Sequence, residues 1–183
     1  MQVDDLIAGC INGGKRYFDE LYETYSRRLY GICLRYSGDQ EEAKDILQEG
    51  FVKLFGQLKS FDSKKGSFEG WMRRVFVNHA IDYYRKRKQL PVSVAPENIA
   101  DEVRDVEEEH QYDLSEREIL ELIRELPNGY RMVFNLFVIE ELSHKEIAAM
   151  LGISESTSKS QFHKARKMLR EKIEQVSLVN QKR

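Results

Sequence analysis

The sequence predicts an all-α protein made of two small helical domains joined by a flexible acidic linker. Apolar side chains recur every three or four residues along most of the 183-residue chain, which is the period of amphipathic helices. Alternating apolar and polar runs, which would indicate strands, are almost absent. Capping residues and glycines separate the periodic segments. We therefore expect a first domain at 1–89, a linker at 90–113 and a second domain, containing a helix-turn-helix, at 114–183.

The composition narrows the classes of protein that this chain can be. A hydrophobic content of 41% beside 33% charged residues is typical of a soluble protein. No apolar run reaches the roughly 20 residues that span a bilayer, and the first residues do not resemble a signal peptide. We therefore expect a cytoplasmic protein that does not insert into membranes.

The sequence contains no recognisable motif of an enzyme or a metal site. Cys10 and Cys33 form no CxxC pair, and the four histidines lack the spacing of metal ligands. There is no glycine-rich phosphate loop, no nucleophile elbow and no pair of carboxylates suited to catalysis. The expectation is a protein without metal, cofactor, catalytic residues or enzyme activity.

The net charge of −2 hides an uneven distribution. Residues 1–92 hold 16 basic and 13 acidic side chains, residues 93–113 hold 1 and 8, and residues 114–183 hold 12 and 10. An acidic connector thus conceals two mildly basic modules. Each of them is a candidate for nucleic-acid binding.

The first domain should contain three helices, from about Lys15 to Ser37, from Asp39 to about Lys59 and from about Ser67 to Gln89. Gly38 ends the first helix, and Asp39 can cap the second, with Glu42 at its third position. The apolar spacing of the second helix predicts a buried side, formed by Ala43, Ile46, Leu47, Val52 and Leu54. Its exposed side should carry Glu42, Asp45, Gln48, Glu49 and Lys53.

The third helix and the loop before it combine aromatic and basic side chains, as proteins that bind single strands do. The aromatic residues are Phe61, Phe68, Trp71, Phe76, Tyr83 and Tyr84, and the basic ones are Arg73, Arg74, Arg85, Lys86, Arg87 and Lys88. Asn78, Asp82 and Arg85 share one helix face, and such a polar stripe can hydrogen-bond the edge of an extruded base. The alternative is that the aromatics belong to the core and that the basic run is a solvated helix end.

The segment at 90–113 carries two of the three prolines and a dense acidic cluster, which is typical of a linker. After it, Ser115 and Glu118 form a capping box that opens a helix ending at Leu126, before Pro127. A further helix should run from Tyr130 to about Ile139. The second domain thus holds two helices ahead of the helix-turn-helix.

A helix-turn-helix is predicted from Leu142 to Arg170. Ser143 and Glu146 form a capping box, and Gly152 suits the left-handed turn that ends the first helix. Ser154 can cap the second helix. Its inward side carries Phe162, Ala165, Leu169 and Ile173, and its outward side carries Ser156, Ser160, His163, Lys164 and Lys167, with Lys159 and Arg170 on the flank.

The outward side of the second helix suits duplex DNA. A recognition helix needs short polar side chains for base edges and cations for phosphates. Ser156, Ser160 and His163 meet the first need, and the neighbouring lysines meet the second, so binding should depend on salt. The alternative is a solvated basic face on an ordinary amphipathic helix.

These segments together resemble the extracytoplasmic-function sigma factors, the small two-domain members of the bacterial sigma-70 family. The resemblance covers about residues 15–90 and 114–175. The segment DQEEAKDILQEGF resembles the part of the family that docks on the clamp helices of the polymerase β′ subunit. The resemblance therefore implies polymerase contacts by Asp45, Gln48, Glu49 and Phe51.

The remaining motifs resemble the two promoter-binding parts of the family. FDSKKGSFEGWMRRVFVNHAIDYYRKRKQ resembles the segment that melts and reads the minus-ten element, which implies DNA contacts by Phe61, Ser63, Phe68, Trp71, Asn78, Asp82, Arg85, Lys86, Arg87 and Lys88. LPNGYRMVFNLFVIEELSHKEIAAMLGISESTSKSQFHKARKML resembles the domain that reads the minus-thirty-five duplex and contacts the β flap. It implies DNA contacts by Ser156, Lys159, Ser160, His163, Lys164 and Lys167.

The resemblance implies three partners, namely core RNA polymerase, promoter DNA in duplex and single-stranded form, and an anti-sigma factor. Two positions depart from the commoner family pattern. Many relatives have Val where this chain has Ser158, so the start of the recognition helix is expected to pack more loosely. Many have Arg where this chain has Gln161, which removes a cation from the DNA-facing helix.

Two other classes of protein compete with this interpretation. An ordinary helix-turn-helix regulator would dimerise on a palindromic operator without polymerase. A nucleic-acid-processing enzyme would need a metal or nucleophile constellation, which the sequence lacks. The aromatic and basic third helix favours the promoter-specificity factor over both.

Overall fold

A computed structural model of the chain describes residues 2–87 and 114–180. All regular elements in these ranges are helical, so the prediction of an all-α fold with two helical domains is confirmed. The chain divides into two compact units, Met1–Lys88 and Gln89–Arg183. The predicted linker at 90–113 lies outside the described residues.

The first unit contains four α-helices, α1 (Val3–Ile11), α2 (Lys15–Tyr36), α3 (Gln40–Gln57) and α4 (Phe68–Arg87). Two short 3₁₀ turns, Leu58–Ser60 and Ser63–Lys65, connect α3 to α4. Helices α2, α3 and α4 pack against one another around a common core, and α1 packs on α2 and on the first 3₁₀ turn. The three helices expected from the sequence are therefore present.

Helix α1 was not predicted. It buries Leu6, Ile7 and Cys10 against the rest of the unit. These residues have helical spacing, but the N-cap residue Gln2 makes no side-chain capping bond. A nine-residue helix without a cap is marginal alone, so tertiary packing is what stabilises it.

Helix α3 corrects one predicted core position. Val52 is 74% exposed, whereas Gly50 and Phe51 lie in the core beside the expected Leu54. Leu47, Phe51 and Leu54 follow one another at i, i+4 and i+7, and Val52 is turned by about 100° from Phe51. The apolar stripe therefore passes through Phe51 and leaves Val52 among polar neighbours.

The second unit contains α5 (Glu116–Arg124), α6 (Asn128–Phe134), α7 (His144–Leu151) and α8 (Glu155–Asn180). The chain leaves α6 through a π-helical turn at Asn135–Ile139. Helix α6 begins at Asn128, two residues before the expected start, because Pro127 occupies the N-cap position. Leu122, Ile123 and Leu126 pack on Ala165 and Leu169 of α8 to form its core.

A buried arginine joins α5 to α6. The side chain of Arg131 is 2% exposed, and its Nη1 donates hydrogen bonds to the backbone oxygens of Arg124 at 2.7 Å and Leu126 at 3.2 Å. Its Nη2 donates to Asn128 Oδ1 at 2.6 Å. The guanidinium thus satisfies carbonyl groups at the end of α5, which the helix itself cannot pair.

Candidate nucleic-acid interface

The helix-turn-helix has the local geometry that the sequence predicts. Ser143 N–H donates to Glu146 Oε2 at 2.8 Å, and Glu146 N–H donates back to Ser143 Oγ at 3.3 Å. Gly152 adopts the left-handed conformation with φ of 69° at the end of α7. Thr157 N–H donates to Ser154 Oγ at 3.0 Å, so Ser154 caps α8. Each capping bond joins residues three positions apart, so the caps can be predicted from the sequence.

The outward side of α8 is partly open to solvent. Ser156, Lys159 and Lys167 are exposed, whereas Ser160, His163 and Lys164 are half-buried. Lys159 Nζ lies 2.8 Å from Glu155 Oε1, and Ser160 Oγ donates to the Thr157 backbone oxygen at 3.0 Å. Ser156, Lys159 and Lys167 are therefore the exposed members of the six predicted residues, and Lys159 is paired with Glu155.

Ser158, the first departure from the family pattern, is hydrogen-bonded to a histidine of α7. Ser158 is fully buried, and its Oγ lies 2.9 Å from Nδ1 of His144 on α7. The imidazole stacks on Phe137 with ring centroids 4.5 Å apart. Burial, and to a smaller extent Lys159, lowers the pKa of His144, while Glu155 raises it. The loose packing expected at Ser158 is therefore replaced by a polar tie between α7 and α8.

Gln161, the second departure from the family pattern, faces α6. A side-chain carbon added at Gly129 would lie 3.3 Å from Gln161 Oε1, so the amide covers the start of that helix. Arg166 supplies a cation nearby, with its guanidinium carbon 5.9 Å from the centroid of the Phe162 ring. The Gln161 side chain therefore contributes to packing between helices, a role that the sequence did not indicate.

In the first unit, one aromatic residue of the loop before α4 and two on the first turn of α4 pack on one another. Ring centroids are 5.2 Å apart for Phe61 and Phe68, 5.6 Å for Phe61 and Trp71, and 5.8 Å for Phe68 and Trp71. We call these three residues the aromatic cluster. Phe68 is only 5% exposed, so it is a core residue rather than a surface for bases. Phe61 and Trp71 are half-buried and keep part of their rings accessible.

Three other aromatic residues of α4 also belong to the core, as the alternative interpretation allowed. Phe76, Tyr83 and Tyr84 are 0%, 7% and 8% exposed. Base stacking in this unit can therefore use only Phe61 and Trp71 among the six predicted aromatics. The sequence therefore predicted more exposed aromatic side chains for single-strand binding than the folded unit provides.

The loop before α4 is ordered by short local hydrogen bonds. Lys64 N–H donates to Asp62 Oδ1 at 3.0 Å, and this turn exposes Ser63. Gly66 has a φ of 146°, which an L side chain rarely adopts. Gly70 N–H then donates to Ser67 Oγ at 3.2 Å, at the first turn of α4. The loop thus exposes Ser63, two residues after Phe61 of the aromatic cluster.

The predicted polar stripe on α4 is present. Asn78 and Arg85 are exposed, and Asp82 is half-buried and accepts a hydrogen bond from Lys53 Nζ at 2.8 Å. Lys86 is exposed on the next turn. Arg87 is the last residue of α4, and Lys88 lies outside the described residues. Asn78, Asp82 and Arg85 follow at i, i+4 and i+7, so one face of the helix carries all three.

The exposed face of α3 carries Asp45, Gln48 and Glu49, as expected. Phe51 does not join them, because it is 4% exposed and packs on Tyr22 and Phe76 with ring centroids 4.7 Å and 5.4 Å away. The prediction that Phe51 contacts polymerase is therefore corrected, because Phe51 is a core residue.

A polar strip that the sequence did not predict joins this face to α4. Tyr83 OH donates to Asp45 Oδ2 at 3.1 Å, and His79 Nε2 lies 3.6 Å from Glu49 Oε2. His79 is 4% exposed. Burial is the main cause of its lowered pKa, Lys53 and Lys86 lower it further, and Glu49 and Asp82 raise it. The sequence does not indicate this strip, because its residues come from two helices that meet only in the folded unit.

Within residues 2–87 and 114–180, no group of three or more His, Cys, Asp or Glu side chains could hold a metal ion. Nor does any helix in those ranges have the length and apolar character to cross a membrane. The polar surfaces of α3, α4 and α8 are therefore the candidate functional features of the described chain.

Comparison with known proteins gives the family. Residues 21–89 match Sigma-70 region 2, and residues 116–169 match Sigma-70, region 4. The ECF RNA polymerase sigma factor SigW of Bacillus subtilis is 32% identical over 184 residues, which covers 94% of this chain and 97% of that protein. The chain belongs to the ECF sigma factors of the sigma-70 family. It is therefore a transcription initiation factor, and the alternative of an ordinary helix-turn-helix regulator is rejected.

Two further ECF sigma factors and one solved structure are also similar to this chain. SigM of Bacillus subtilis is 31% identical, with 83% of this chain and 92% of that protein covered. SigE of Mycolicibacterium smegmatis is 33% identical over 84% of this chain, which spans 60% of that longer protein. Among solved structures, the sigma factor RpoE in complex with the anti-sigma factor NepR from Bartonella quintana aligns with 84% of this chain and 94% of that one. The identity is 19% and the TM-score is 0.49.

The region matches relate the family to the surfaces described above. Region 2 spans most of α2 and all of α3 and α4, and so includes the aromatic cluster and the polar stripe of Asn78, Asp82 and Arg85. Region 4 spans α5, α6, α7 and most of α8. ECF sigma factors direct promoter-specific transcription initiation with RNA polymerase, and this chain is one of them.

Proposed function

We propose that this sigma factor binds core RNA polymerase through α3, holds the melted minus-ten strand through α4 and the loop before it, and reads the minus-thirty-five duplex through α8. The supporting observation is that α4 and α8, in separate units, each expose polar and basic side chains: Asn78, Arg85 and Lys86 on α4, and Ser156 and Lys167 on α8. Two such surfaces suit a protein that binds both closed and opened DNA.

The minus-thirty-five role is supported by the exposed start of α8. Ser156 is placed on the first turn of the helix, where a recognition helix meets base edges. Lys167 follows three turns later and suits a phosphate contact. Lys159, Ser160, His163 and Lys164 complete the proposed surface. To contact a phosphate, Lys159 must first release Glu155. The Lys159–Glu155 ion pair lies on the surface, so breaking it costs little free energy.

The minus-ten role is supported by the stripe on α4 and by its neighbours in the loop. Asn78 and Arg85 can hydrogen-bond an extruded base or its phosphate, and Asp82 is held in place by Lys53. Phe61 and Trp71 offer partly exposed rings, and Ser63 is exposed in the loop. Binding of the extruded base offsets the cost of unstacking it, so melting needs no ATP. Lys86 is exposed on the next turn and adds positive charge beyond the stripe, and we assign Arg87 and Lys88 to the same surface from the sequence alone.

The polymerase role is assigned to Asp45, Gln48 and Glu49, which share the exposed face of α3. Their expected target is the clamp helices of the β′ subunit, and region 4 is expected to meet the β flap. Val52 lies on the same face and adds an apolar side chain to it. We place the activity in the cytoplasm, where polymerase and chromosome are found, and an anti-sigma factor remains a predicted partner.

Transcription in vitro tests this function directly. Purified bacterial core polymerase is supplied with a library of promoter fragments, with and without the full chain, and the transcripts are sequenced. We expect initiation that depends on the chain and selects paired elements near minus ten and minus thirty-five. A variant with Asp45→Arg and Glu49→Arg should abolish it, whereas Glu23→Arg on α2 should not. Absence of chain-dependent transcripts would refute the proposed function.

A further inference from the structure

The start of the proposed recognition helix is joined to α7 at one buried position. Ser158, on the first turn of α8, is fully buried, and its Oγ lies 2.9 Å from Nδ1 of His144. His144 is the first residue of α7, where the capping box of Ser143 and Glu146 fixes the backbone. The hydrogen bond therefore joins α8 to a well-defined point of the neighbouring helix.

The imidazole of His144 is held by two aromatic rings. It stacks on Phe137 with ring centroids 4.5 Å apart, and its centroid lies 5.7 Å from that of Phe162. Phe137 and Phe162 also contact each other, with centroids 4.4 Å apart. Phe162 comes four residues after Ser158, one turn further along α8. Closely packed side chains allow only small shifts, so His144 constrains two consecutive turns of α8.

The side chains proposed to read base edges lie on the other side of α8 from this contact. Ser156 and Ser160 are each two residues from Ser158, which places them about 160° away around the helix axis. A helix with its side chains is about 10–12 Å wide, so a rotation of about 15° about the axis moves a side-chain tip by about 1.5 Å. Hydrogen bonds to base edges tolerate less than this. The rotation of α8 therefore decides which base edges Ser156 and Ser160 can reach.

We propose that Ser158 and His144 are positioning residues for minus-thirty-five recognition, and that their hydrogen bond helps to set the minus-thirty-five sequence that this chain prefers. The inference rests on the proposed minus-thirty-five function of α8. Ser158 does not contact a base itself, because its side chain is fully buried. It acts through the rotation of α8, and so through the side chains on the opposite side of the helix.

Two substitutions at position 158 separate the hydrogen bond from packing. Valine and threonine have nearly the same shape, so Ser158→Val and Ser158→Thr fill the same space, and only threonine keeps the hydroxyl. Holoenzyme is prepared with each variant. Its dissociation constant is measured for two short duplexes that end upstream of the minus-ten element. One duplex carries the minus-thirty-five element selected in the promoter library, and the other carries a scrambled element.

The ratio of the two dissociation constants measures specificity. Ser158→Val should lower this ratio about tenfold, which is the size of one lost base contact. Ser158→Thr should keep the ratio within about threefold of the wild-type value, less than one lost base contact would cost. Equal ratios for Ser158→Val and Ser158→Thr would overturn the proposal, because the hydroxyl would then be irrelevant.

A role in stability alone predicts a different result. Partial unfolding of the second unit weakens the binding of both duplexes by the same factor, so the specificity ratio stays at its wild-type value. Leu122→Ala opens a cavity in the core that α5 forms with α8, and is the control for this case. A Ser158→Val variant that keeps the same ratio as Leu122→Ala would show that Ser158 only stabilises the unit.

Selection from the promoter library tests the histidine side of the hydrogen bond. His144→Phe keeps an aromatic ring against Phe137 and Phe162 and removes Nδ1. Holoenzyme with His144→Phe or with Ser158→Val should select a minus-thirty-five element that is changed at the same base positions, together with the wild-type minus-ten element. A destabilised variant loses binding but cannot acquire a new preference, so this result does not depend on how well the variants fold.

The same selections distinguish failure of this inference from failure of the proposed function. If wild-type holoenzyme selects no minus-thirty-five element, the proposed function of α8 fails, and the positioning role fails with it. If wild-type holoenzyme selects an element and both variants select the same one, only the positioning role of Ser158 and His144 is refuted.

Discussion

Gly50 on α3 leaves room for the ring of Phe76 on α4. A side-chain carbon built at this position would lie 2.5 Å from Cε1 of Phe76, a ring that is fully buried. Gly50→Ala should therefore destabilise the first unit by about 1–3 kcal/mol, although alanine favours a helix more than glycine does. Urea unfolding followed by the fluorescence of Trp71, the single tryptophan of the chain, measures this effect.

Gly56→Ala is the matched control in the same helix. Nothing lies within 4 Å of a side-chain carbon at this exposed position, so the substitution should be neutral or stabilise by up to about 1 kcal/mol. Similar losses in both variants would show that the ring of Phe76 does not limit the packing.

His79 should make the stability of the first unit depend on pH. Burial lowers its pKa in the folded state below the ordinary value of about 6.5, so the unfolded chain binds the proton more tightly. Stability is then fully present above about pH 6.5 and falls as the pH drops towards the folded pKa. Urea midpoints from Trp71 fluorescence between pH 5 and 8 measure the trend.

His79→Phe should reduce this pH dependence, because it removes the titrating group. His163→Phe on α8, in the second unit, should leave the Trp71 signal unchanged. A wild-type protein whose first unit becomes more stable as the pH falls from 6.5 to 5 would contradict the assignment of His79.

At the scale of the helices, the elements most accurately predicted are those with local chemistry at their ends. Asp39, Ser115 and Ser143 each cap a helix through the backbone N–H three residues ahead. Such bonds depend on short sequence distances, so the sequence is enough to infer them. Helix α1, by contrast, lacks a side-chain cap and is held by its contacts with α2.

Side-chain exposure was less predictable than helix position. Phe68 and Phe51 lie in the core although the family resemblance implied binding roles for both. Burial of a large aromatic side chain stabilises the fold. Which aromatic side chains become buried depends on how helices from distant parts of the sequence pack against one another. The α3–α4 polar strip shares this dependence on tertiary contacts, so it has no signature in the sequence.

The tie between α7 and α8 predicts a non-additive pair of substitutions. Ser158→Val leaves the half-buried imidazole of His144 without its hydroxyl partner, and His144→Phe leaves the buried Ser158 hydroxyl without the imidazole. Each single change should destabilise the second unit by about 1–3 kcal/mol. The double variant is apolar on both sides and should recover most of the loss. Hydrogen exchange of the amides in α7 and α8 measures the stability of this unit, and additive losses would show that the two side chains are not coupled.

At the scale of the whole molecule, the two units should contribute separately to promoter binding. Each has its own core, and each carries one of the proposed DNA surfaces. In the proposed function, core polymerase holds both surfaces in position, so the free protein should bind promoter DNA weakly. The isolated chain should therefore give no tight, sequence-specific footprint on promoter DNA, while the holoenzyme should give one that covers both elements.

Two substitutions in the holoenzyme separate the contributions. Lys167→Ala should weaken duplex binding alike for all promoter sequences and reduce the log–log salt slope by about 0.9, since it removes one phosphate contact. Asn78→Ala should leave duplex binding unchanged and slow the formation of the open complex, because a base edge is available to Asn78 only after melting. Lys15→Ala on α2 serves as a charge control. Fluorescence anisotropy with closed promoter fragments, and permanganate reactivity of the melted thymines, measure the two steps. Equal loss of duplex binding in Lys167→Ala and Asn78→Ala would show that the two units do not divide closed and opened DNA between them.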